Sequence, residues 1–328
     1  MIKRLALAVA VLALGLPAVT AAQGPAPRPA RTARAARAAE SLPYPADVTD
    51  TSHATPEAVR ALRAFFVAKS IHSAGDLMTH FAPGDGVLYI DASSASCCPS
   101  WDSLNEIFTR LMPDMKPEAL SYPLRILGDR KSALVYFEDT PELFGKELRI
   151  LGAVSFDDQG RIIRWMDYWD GRSSQRKTAI SPTYPTDFHD DVGNATGRIA
   201  DVVQTVQGAF SAGDARGAAI QFSNDAVFED MALHTQILGR QAIERYLYRA
   251  LGKVPYGGSA SVAHVVGGDL GGGYEWHAAQ GFPQRRGNTA IELDQHGKIS
   301  RLTVVYDSGL FSDDTYRQLV QLAAEPAP

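Results

Sequence analysis

Apolar residues recur at helical spacing in two distant stretches, Val59, Leu62 and Phe66 near the start and Ile199, Val203, Val206 and Phe210 past the middle. Three-to-four-residue spacing puts each set on one face of a helix, so each stretch predicts a helix with a buried stripe. Thr55-Pro56 marks the first start, a capping residue followed by a proline that tolerates the first helical position. After each helix comes a short strand ending in an aspartate, Asp91 and Asp230, and then a second amphipathic helix over 100–111 and 239–251. Alternating or continuous apolar runs predict strands at 120–127, 133–138, 147–156 and 162–170, and again at 261–266, 274–279, 288–293 and 299–307. Turn residues such as Gly128-Asp129 and Asp158-Gln159-Gly160 separate them. A last helix is expected over 312–322.

The matching order reflects an internal repeat. Ser73-Ala74-Gly75-Asp76 returns as Ser211-Ala212-Gly213-Asp214, an offset of 138, and Asp158-Gln159-Gly160-Arg161-Ile162 returns as Gln295-His296-Gly297-Lys298-Ile299, an offset of 137. Helices first and hairpin-connected strands last in each copy predict an α+β class: two tandem cone-shaped domains, each with helices packed on a curved antiparallel sheet. The boundaries that follow are a first domain at 55–172, a linker at 173–194 broken by Pro182, Pro185 and Gly193, a second domain at 195–322 and a tail at 323–328.

The amino-terminal segment has a different character. Lys3 and Arg4, an apolar run from Leu5 to Leu16 and the small residues Ala18-Val19-Thr20-Ala21-Ala22 predict a cleaved secretory signal over 1–22 and hence an exported protein, periplasmic or secreted. That run falls short of the roughly 20 apolar residues of a membrane span, and none is expected later. Residues 23–54, rich in Ala, Pro and Arg, read as a spacer that buries too little to fold alone.

Composition narrows the partners. The chain of 328 residues carries 32 basic and 37 acidic residues, and six of the basic but one of the acidic residues precede Ser41, leaving a net of −10 beyond it. So acidic a body disfavours nucleic acid and anionic lipid as partners. The two cysteines, Cys97 and Cys98, are adjacent; they form a vicinal disulfide, pair between chains or stay reduced, and the sequence leaves these open. The spacings of a metal site are missing, with no Cys-x-x-Cys and no His-Glu-x-x-His. The glycines of 267–273 lie between two strands as a hairpin loop, without the helix a phosphate cradle needs, and no Gly-x-Ser-x-Gly elbow occurs. Glu275 and His277 share one strand face and offer either a base with its orienter or an ordinary exposed alternation.

The last strand of the first copy carries the most suggestive chemistry. Alternation puts Trp165, Asp167 and Trp169 on one face and Met166, Tyr168 and Asp170 on the other. Both faces contain apolar groups, so alternation alone does not choose the buried one.

The element order, the Ala-Gly-Asp after each first helix, the stretch from Phe222 to Asp230, the Gly239-Arg-Gln-Ala-Ile helix start and the final strand together resemble the nuclear transport factor 2-like superfamily, in its SnoaL-like and ketosteroid isomerase-like branches. The resemblance implies a cone with an apolar pocket, no cofactor, and a small apolar organic ligand or substrate. It implies catalytic carboxylates at Asp91 and Asp230, on the strand that carries the general base of the isomerases, and at Asp167, where SnoaL-like cyclases keep an acid/base aspartate. Tyr89, Trp165, Trp169 and Tyr306 become the expected pocket walls. Two departures count against steroid isomerisation: Ala68 and Val206 stand where the isomerases place a tyrosine, and Gly152 and Thr289 where they place a second acid. The expectation is a cofactor-free isomerase, cyclase or epoxide hydrolase in the first copy, against a non-catalytic binding protein or interaction module. The resemblance further implies that sheets pair face to face, as a pseudo-dimer of the two copies or as a homodimer.

Overall fold

A computed structural model describes residues 42–172, 187–190, 192 and 195–324. The expected signal at 1–22, the spacer up to residue 41, most of the linker and the last residues of the tail lie outside the described residues, as does the side chain of Cys97 and with it the pairing of the two cysteines.

The first half opens with β1 (Asp50–Ala54) and α1 (Pro56–Ser70), which starts with Thr55 at the N-cap and proline in the first turn. Leu62, Phe65 and Phe66 form its buried stripe, and Lys69 continues that stripe by one further turn. The short α2 (Ala74–Met78) is capped by Ser73, whose side chain accepts from the Asp76 amide. β2 (Leu88–Asp91) and β3 (Ser96–Cys98) make a hairpin, and α3 (Trp101–Leu111) follows from a capping box in which Ser100 and Ser103 satisfy each other's amides. Four strands then run up and down: β4 (Ser121–Gly128), β5 (Ser132–Asp139), β6 (Leu148–Phe156) and β7 (Ile162–Trp169), with the single turn of α4 (Pro141–Phe144) between β5 and β6. The second half repeats the order as α5 (Ile199–Ser211), α6 (Ala215–Ala219), β8 (Phe222–Asp230), β9 (Thr235–Leu238), α7 (Arg240–Ala250), β10 (Ser261–Gly267), β11 (Gly271–His277), β12 (Arg286–Leu293) and β13 (Ile299–Val305), and α8 (Asp313–Gln321) ends it.

The sheets are β1-β4-β5-β6-β7-β2-β3 and β10-β11-β12-β13-β8-β9, the same order apart from the added β1. The α+β class is as expected, but each sheet is mixed. β2 runs parallel to β7 and β8 parallel to β13, because a long crossover that includes a helix and four strands separates the partners, whereas the strands joined by tight turns are antiparallel. The spacer boundary also moves. Residues 42–54 belong to the folded unit: Tyr44 is buried and stacks on Tyr122 at 5.9 Å, and β1 runs parallel to β4. Composition misses β1 because ladder hydrogen bonds, and not apolar side chains, hold a strand that reads Asp-Thr-Ser-His-Ala.

Helices cover one face of each sheet, and the other faces pack against each other. Leu127, Leu134, Leu151, Met166 and Tyr168 of the first half meet Val266, Ala290 and Val305 of the second. The approach is close at Gly273, where a Cβ would stand 2.5 Å from Leu134 Cδ1. A buried charge cluster fastens one side of this contact. Arg164, 1% exposed, pairs with Glu275, which is fully buried and also accepts from Tyr168 Oη at 2.7 Å and Arg286 at 3.1 Å. Arg286 in turn holds Asp190 through two bonds of 2.5 and 2.8 Å, and the Arg164 Nε donates to the Phe188 carbonyl at 2.8 Å. Residues 188 and 190, assigned to a linker by sequence, are therefore part of the contact. Burial alone would push Glu275 up, but Arg164 and Arg286 override it and hold its carboxyl below the usual range.

Removing that carboxylate leaves the buried Arg164 and Arg286 with Asp190 alone as counter-ion, so Glu275→Gln is expected to cost about 3–5 kcal/mol in urea unfolding. A loss below about 1 kcal/mol would mean that the apolar contact alone joins the halves.

Candidate functional site

The alternation of β7 resolves once the second sheet is in place. Met166 and Tyr168 face that sheet, which leaves Trp165, Asp167 and Trp169 pointing into the cone of the first half. Asp167 is 5% exposed and lies between two donors: Trp165 Nε1 donates to Oδ1 at 2.5 Å and Tyr89 Oη to Oδ2 at 2.8 Å. Around them stands an aromatic wall. Phe65 stacks on the Trp165 ring at 4.5 Å, and Phe66, Phe81, Phe137 and Phe108 complete the contacts around Trp165 and Tyr89. Gly152, the register partner of Asp167 on β6, makes room for this arrangement, since a Cβ there would meet Asp167 Oδ1 at 3.1 Å and Trp165 Nε1 at 3.2 Å. Tyr89 on β2 and Trp101, Ile107 and Phe108 on α3 are half-buried.

Parallel pairing sets Asp91 directly beside Asp167, and Tyr89 beside Trp165. Asp91 ends its strand in a turn, where Oδ1 accepts from the Ser93 and Ser94 amides at 3.1 and 2.9 Å and from Trp169 Nε1 at 2.9 Å. The residue thus combines an ordinary turn cap with an indole contact inside the cone. Burial raises the Asp91 carboxyl, opposed by these donors. Asp167 is pushed up to about 7, first by burial; Lys69 opposes the rise, Asp91 adds to it, and the bonds from Trp165 and Tyr89 oppose it. A carboxyl so placed changes its charge near neutral pH, which is what general acid–base work requires.

The second half has a different interior. Strand register puts Val304 at the position of Asp167, Leu302 at that of Trp165 and Tyr306 at that of Trp169. Asp230, fully buried, accepts from the Leu233 amide at 3.0 Å, from Tyr256 Oη at 3.1 Å and from Tyr306 Oη at 3.2 Å, and Tyr246 continues the chain to Tyr256 at 3.2 Å. Burial drives its carboxyl to about 7 against those bonds. Trp276 Nε1 donates to Thr289 and Tyr274 Oη to Gln207, so the polar groups of this interior pair with one another. Between the halves a cleft of about 520 Å³ is lined by both Trp169 and Asp230.

Of the residues expected from sequence, Asp91, Asp167, Tyr89, Trp165 and Trp169 converge in the first interior, while Asp230 and Tyr306 meet each other in the second. Glu275 and His277 form no base-and-orienter pair: Glu275 is the counter-ion of Arg164 and Arg286, and His277 faces Asp190 at 3.1 Å. Sequence reasoning missed the buried pair Lys69–Asp139 in the first interior and Tyr256 in the second. The pair had a signal, for Lys69 extends the stripe of Leu62 and Phe65–Phe66, and Asp139 extends the inward alternation of Val135 and Phe137. Tyr256 sits in an irregular segment with no periodicity to reveal it. Among the described residues no group of three or more His, Cys, Asp or Glu is placed to hold a metal ion, and no helix is long and apolar enough to cross a membrane.

No family model and no curated protein matches the chain. Among solved structures it is similar to an NTF-2 like protein of unknown function from Burkholderia xenovorans LB400, at 21% identity over 37% of this chain and 91% of that one, with a TM-score of 0.28. A steroid delta-isomerase from Pseudomonas aeruginosa matches at 19% identity over 38% of this chain and 88% of that one, TM-score 0.31. A SnoaL-like protein of unknown function from Burkholderia thailandensis E264 matches at 12% identity over 35% and 96%, TM-score 0.30.

The raised carboxyls tie stability to pH. Asp167 and Asp230 bind their protons more tightly folded than unfolded, so their contribution is complete below about pH 4, where the unfolded carboxyls are also protonated, and is lost as pH rises to about 7. Urea midpoints are expected to fall across that window, by an upper bound of roughly 4 kcal/mol for each carboxyl. Asp167→Asn combined with Asp230→Asn should flatten the fall; an equally steep profile in the double variant would assign it to other groups.

Proposed function

We propose that the first half is a cofactor-free acid–base site for a small, largely apolar organic molecule, with Asp167 as the proton-transferring carboxyl and the second half as its structural partner. The observation that carries this reading is a carboxyl set deep in an aromatic cone and held by two aromatic donors, Trp165 and Tyr89. Asp91, its register neighbour, supplies a second carboxyl close enough to influence its proton affinity. A proton taken by Asp167 from a carbon next to a carbonyl, and returned to another carbon of the same substrate, isomerises it without net redox change. The same carboxyl serves the proton transfers of a cyclisation or of an epoxide opening, so the reaction class is an isomerase, cyclase or epoxide hydrolase. Within this proposal Tyr89 and Trp165 orient the carboxyl, Trp169 holds Asp91, and the ring faces of the cone select apolar substrate over water.

One observation favours a binding role for the second half. Val304 replaces the central carboxylate there, and Asp230 is enclosed by Tyr256 and Tyr306. Such an interior suits packing or retention of an apolar ligand more than proton transfer. The charged start, apolar run and small residues of 1–22 support export of the protein to the periplasm or medium.

The test uses deuterium exchange into a panel of small enolisable ketones in D2O near pH 7, followed by NMR. Wild-type protein is expected to accelerate exchange, and Asp167→Asn to lose about 10²–10⁴-fold of that rate. Equal rates in the two proteins would remove Asp167 from the chemistry. Ligand-dependent tryptophan fluorescence without exchange in either protein would favour a carrier.

A further inference from the structure

The first interior holds an ion pair that the proton chemistry above does not use. Lys69, in the last turn of α1, is 8% exposed and Asp139, at the end of β5, is 2% exposed. The ammonium donates to both carboxylate oxygens, at 2.9 and 3.2 Å. The pair is braced on both sides: the Ser121 hydroxyl donates to Asp139, and Ser70, next to Lys69, donates to the Ser121 carbonyl at 2.6 Å and accepts from its amide at 2.9 Å. A surface pair of this kind contributes little, but one taken out of water costs desolvation on both partners. Its retention inside an otherwise aromatic core calls for a use.

The surroundings indicate one. Lys69 Nζ lies 4.9 Å from the centre of the Phe137 ring, that ring packs on Trp165 at 6.1 Å, and the Trp165 indole donates to Asp167. Aromatic rings, and not solvent, separate the ammonium from the carboxyl, so their attraction is poorly screened. The charged and titratable groups around Asp167 are Tyr89 and Asp91 on β2, Lys69 on α1 and Asp139 on β5. Three carboxyls therefore share the region with one ammonium. Burial is the main force raising Asp167, and Lys69 is the largest influence against it.

The second half serves as an internal control. The repeat offset places Gln207 at the position of Lys69, and strand register places Ala278 at that of Asp139 and Val304 at that of Asp167. All three charged side chains are present together in one half and replaced together by neutral ones in the other. The strand-end aspartate, Asp91 in the first half, is retained as Asp230 in the second without them.

We propose that Lys69, held in place by Asp139, is a positioning residue for proton transfer at Asp167: its ammonium lowers the cost of ionising that carboxyl within the apolar cone. The proposal rests on Asp167 being the proton-transferring group. Without the ammonium, Asp167 would hold its proton more tightly and take one from a substrate less readily near neutral pH. With it, the carboxyl is able to alternate between the two states.

The experiment is a carbon-detected NMR titration of Asp167 in the full chain, assigned by its loss in Asp167→Asn. Lys69→Met/Asp139→Asn removes both charges while keeping an acceptor for Ser121, and the Asp167 midpoint is expected to rise by on the order of one pH unit. Lys69→Arg should keep the midpoint within a few tenths. Should the first double variant fail to fold, Lys69→Gln/Asp139→Ala installs the residues the second half carries at these positions, with the same expectation. A folded neutral variant with an unmoved midpoint overturns the proposal, since a purely structural pair would lower the urea midpoint and leave the titration alone. Wild-type Asp167 titrating in the ordinary carboxylate range would overturn the acid–base assignment instead, and an upward shift in the neutral variant would still support the influence of Lys69.

Discussion

Each sheet in this protein is buried on both faces, and most of the structure follows from that constraint. One face takes the helices and becomes the cone interior; the other takes the opposite sheet. Strands in the middle of such a sandwich read as almost continuous runs of buried residues, as β5 and β12 do, in place of a clean apolar–polar alternation. Two-sided burial also decides which side chains can carry chemistry. On β7 it sends Met166 and Tyr168 into the contact between the sheets and confines Asp167 to the cone, where water is scarce and a carboxylate is costly.

The contact between the sheets is joined unevenly. On one side Arg164, Glu275, Arg286 and Asp190 make a largely buried network. On the other side Arg301, the register counterpart of Arg164, shares Glu229 and Glu292 with Arg125 in a more open arrangement. The halves are alike in topology, yet Arg286 receives Asp190 whereas its register counterpart Arg149 pairs locally with Glu147. Repetition of a fold thus does not repeat its electrostatics.

The same divergence runs through the two interiors. Both retain an aspartate at the end of the strand beside the last strand, capped by turn amides and by an aromatic donor, Trp169 in one and Tyr306 in the other. That shared feature has a local structural cause, the hairpin that follows. The charges found only in the first half, Lys69, Asp139 and Asp167, have no such cause and are expensive to bury. Tyrosines and a threonine satisfy the second interior without any ammonium, which suits a scaffold, whereas the first keeps opposing charges at short range, which suits proton transfer.

Local periodicity in the sequence determined the helices, the strands joined by tight turns and the repeat, because stripes at helical spacing and short turn motifs act over a few residues. Periodicity placed Asp91 and Asp230 at strand ends and Asp167 between two tryptophans, but it was the family resemblance that singled them out as site residues, since alternation alone did not choose the buried face. Tertiary structure alone decided that β2 lies parallel to β7, which sets Asp91 beside Asp167, and that residues 50–54 add a strand held by backbone hydrogen bonds. Partner choice followed the same rule. Lys69 and Asp139 are 70 residues apart, and Arg164 and Glu275 are 111 apart; only the fold brought each charge to its counter-ion, because an ion pair depends on distance in space and a sequence pattern records only distance along the chain.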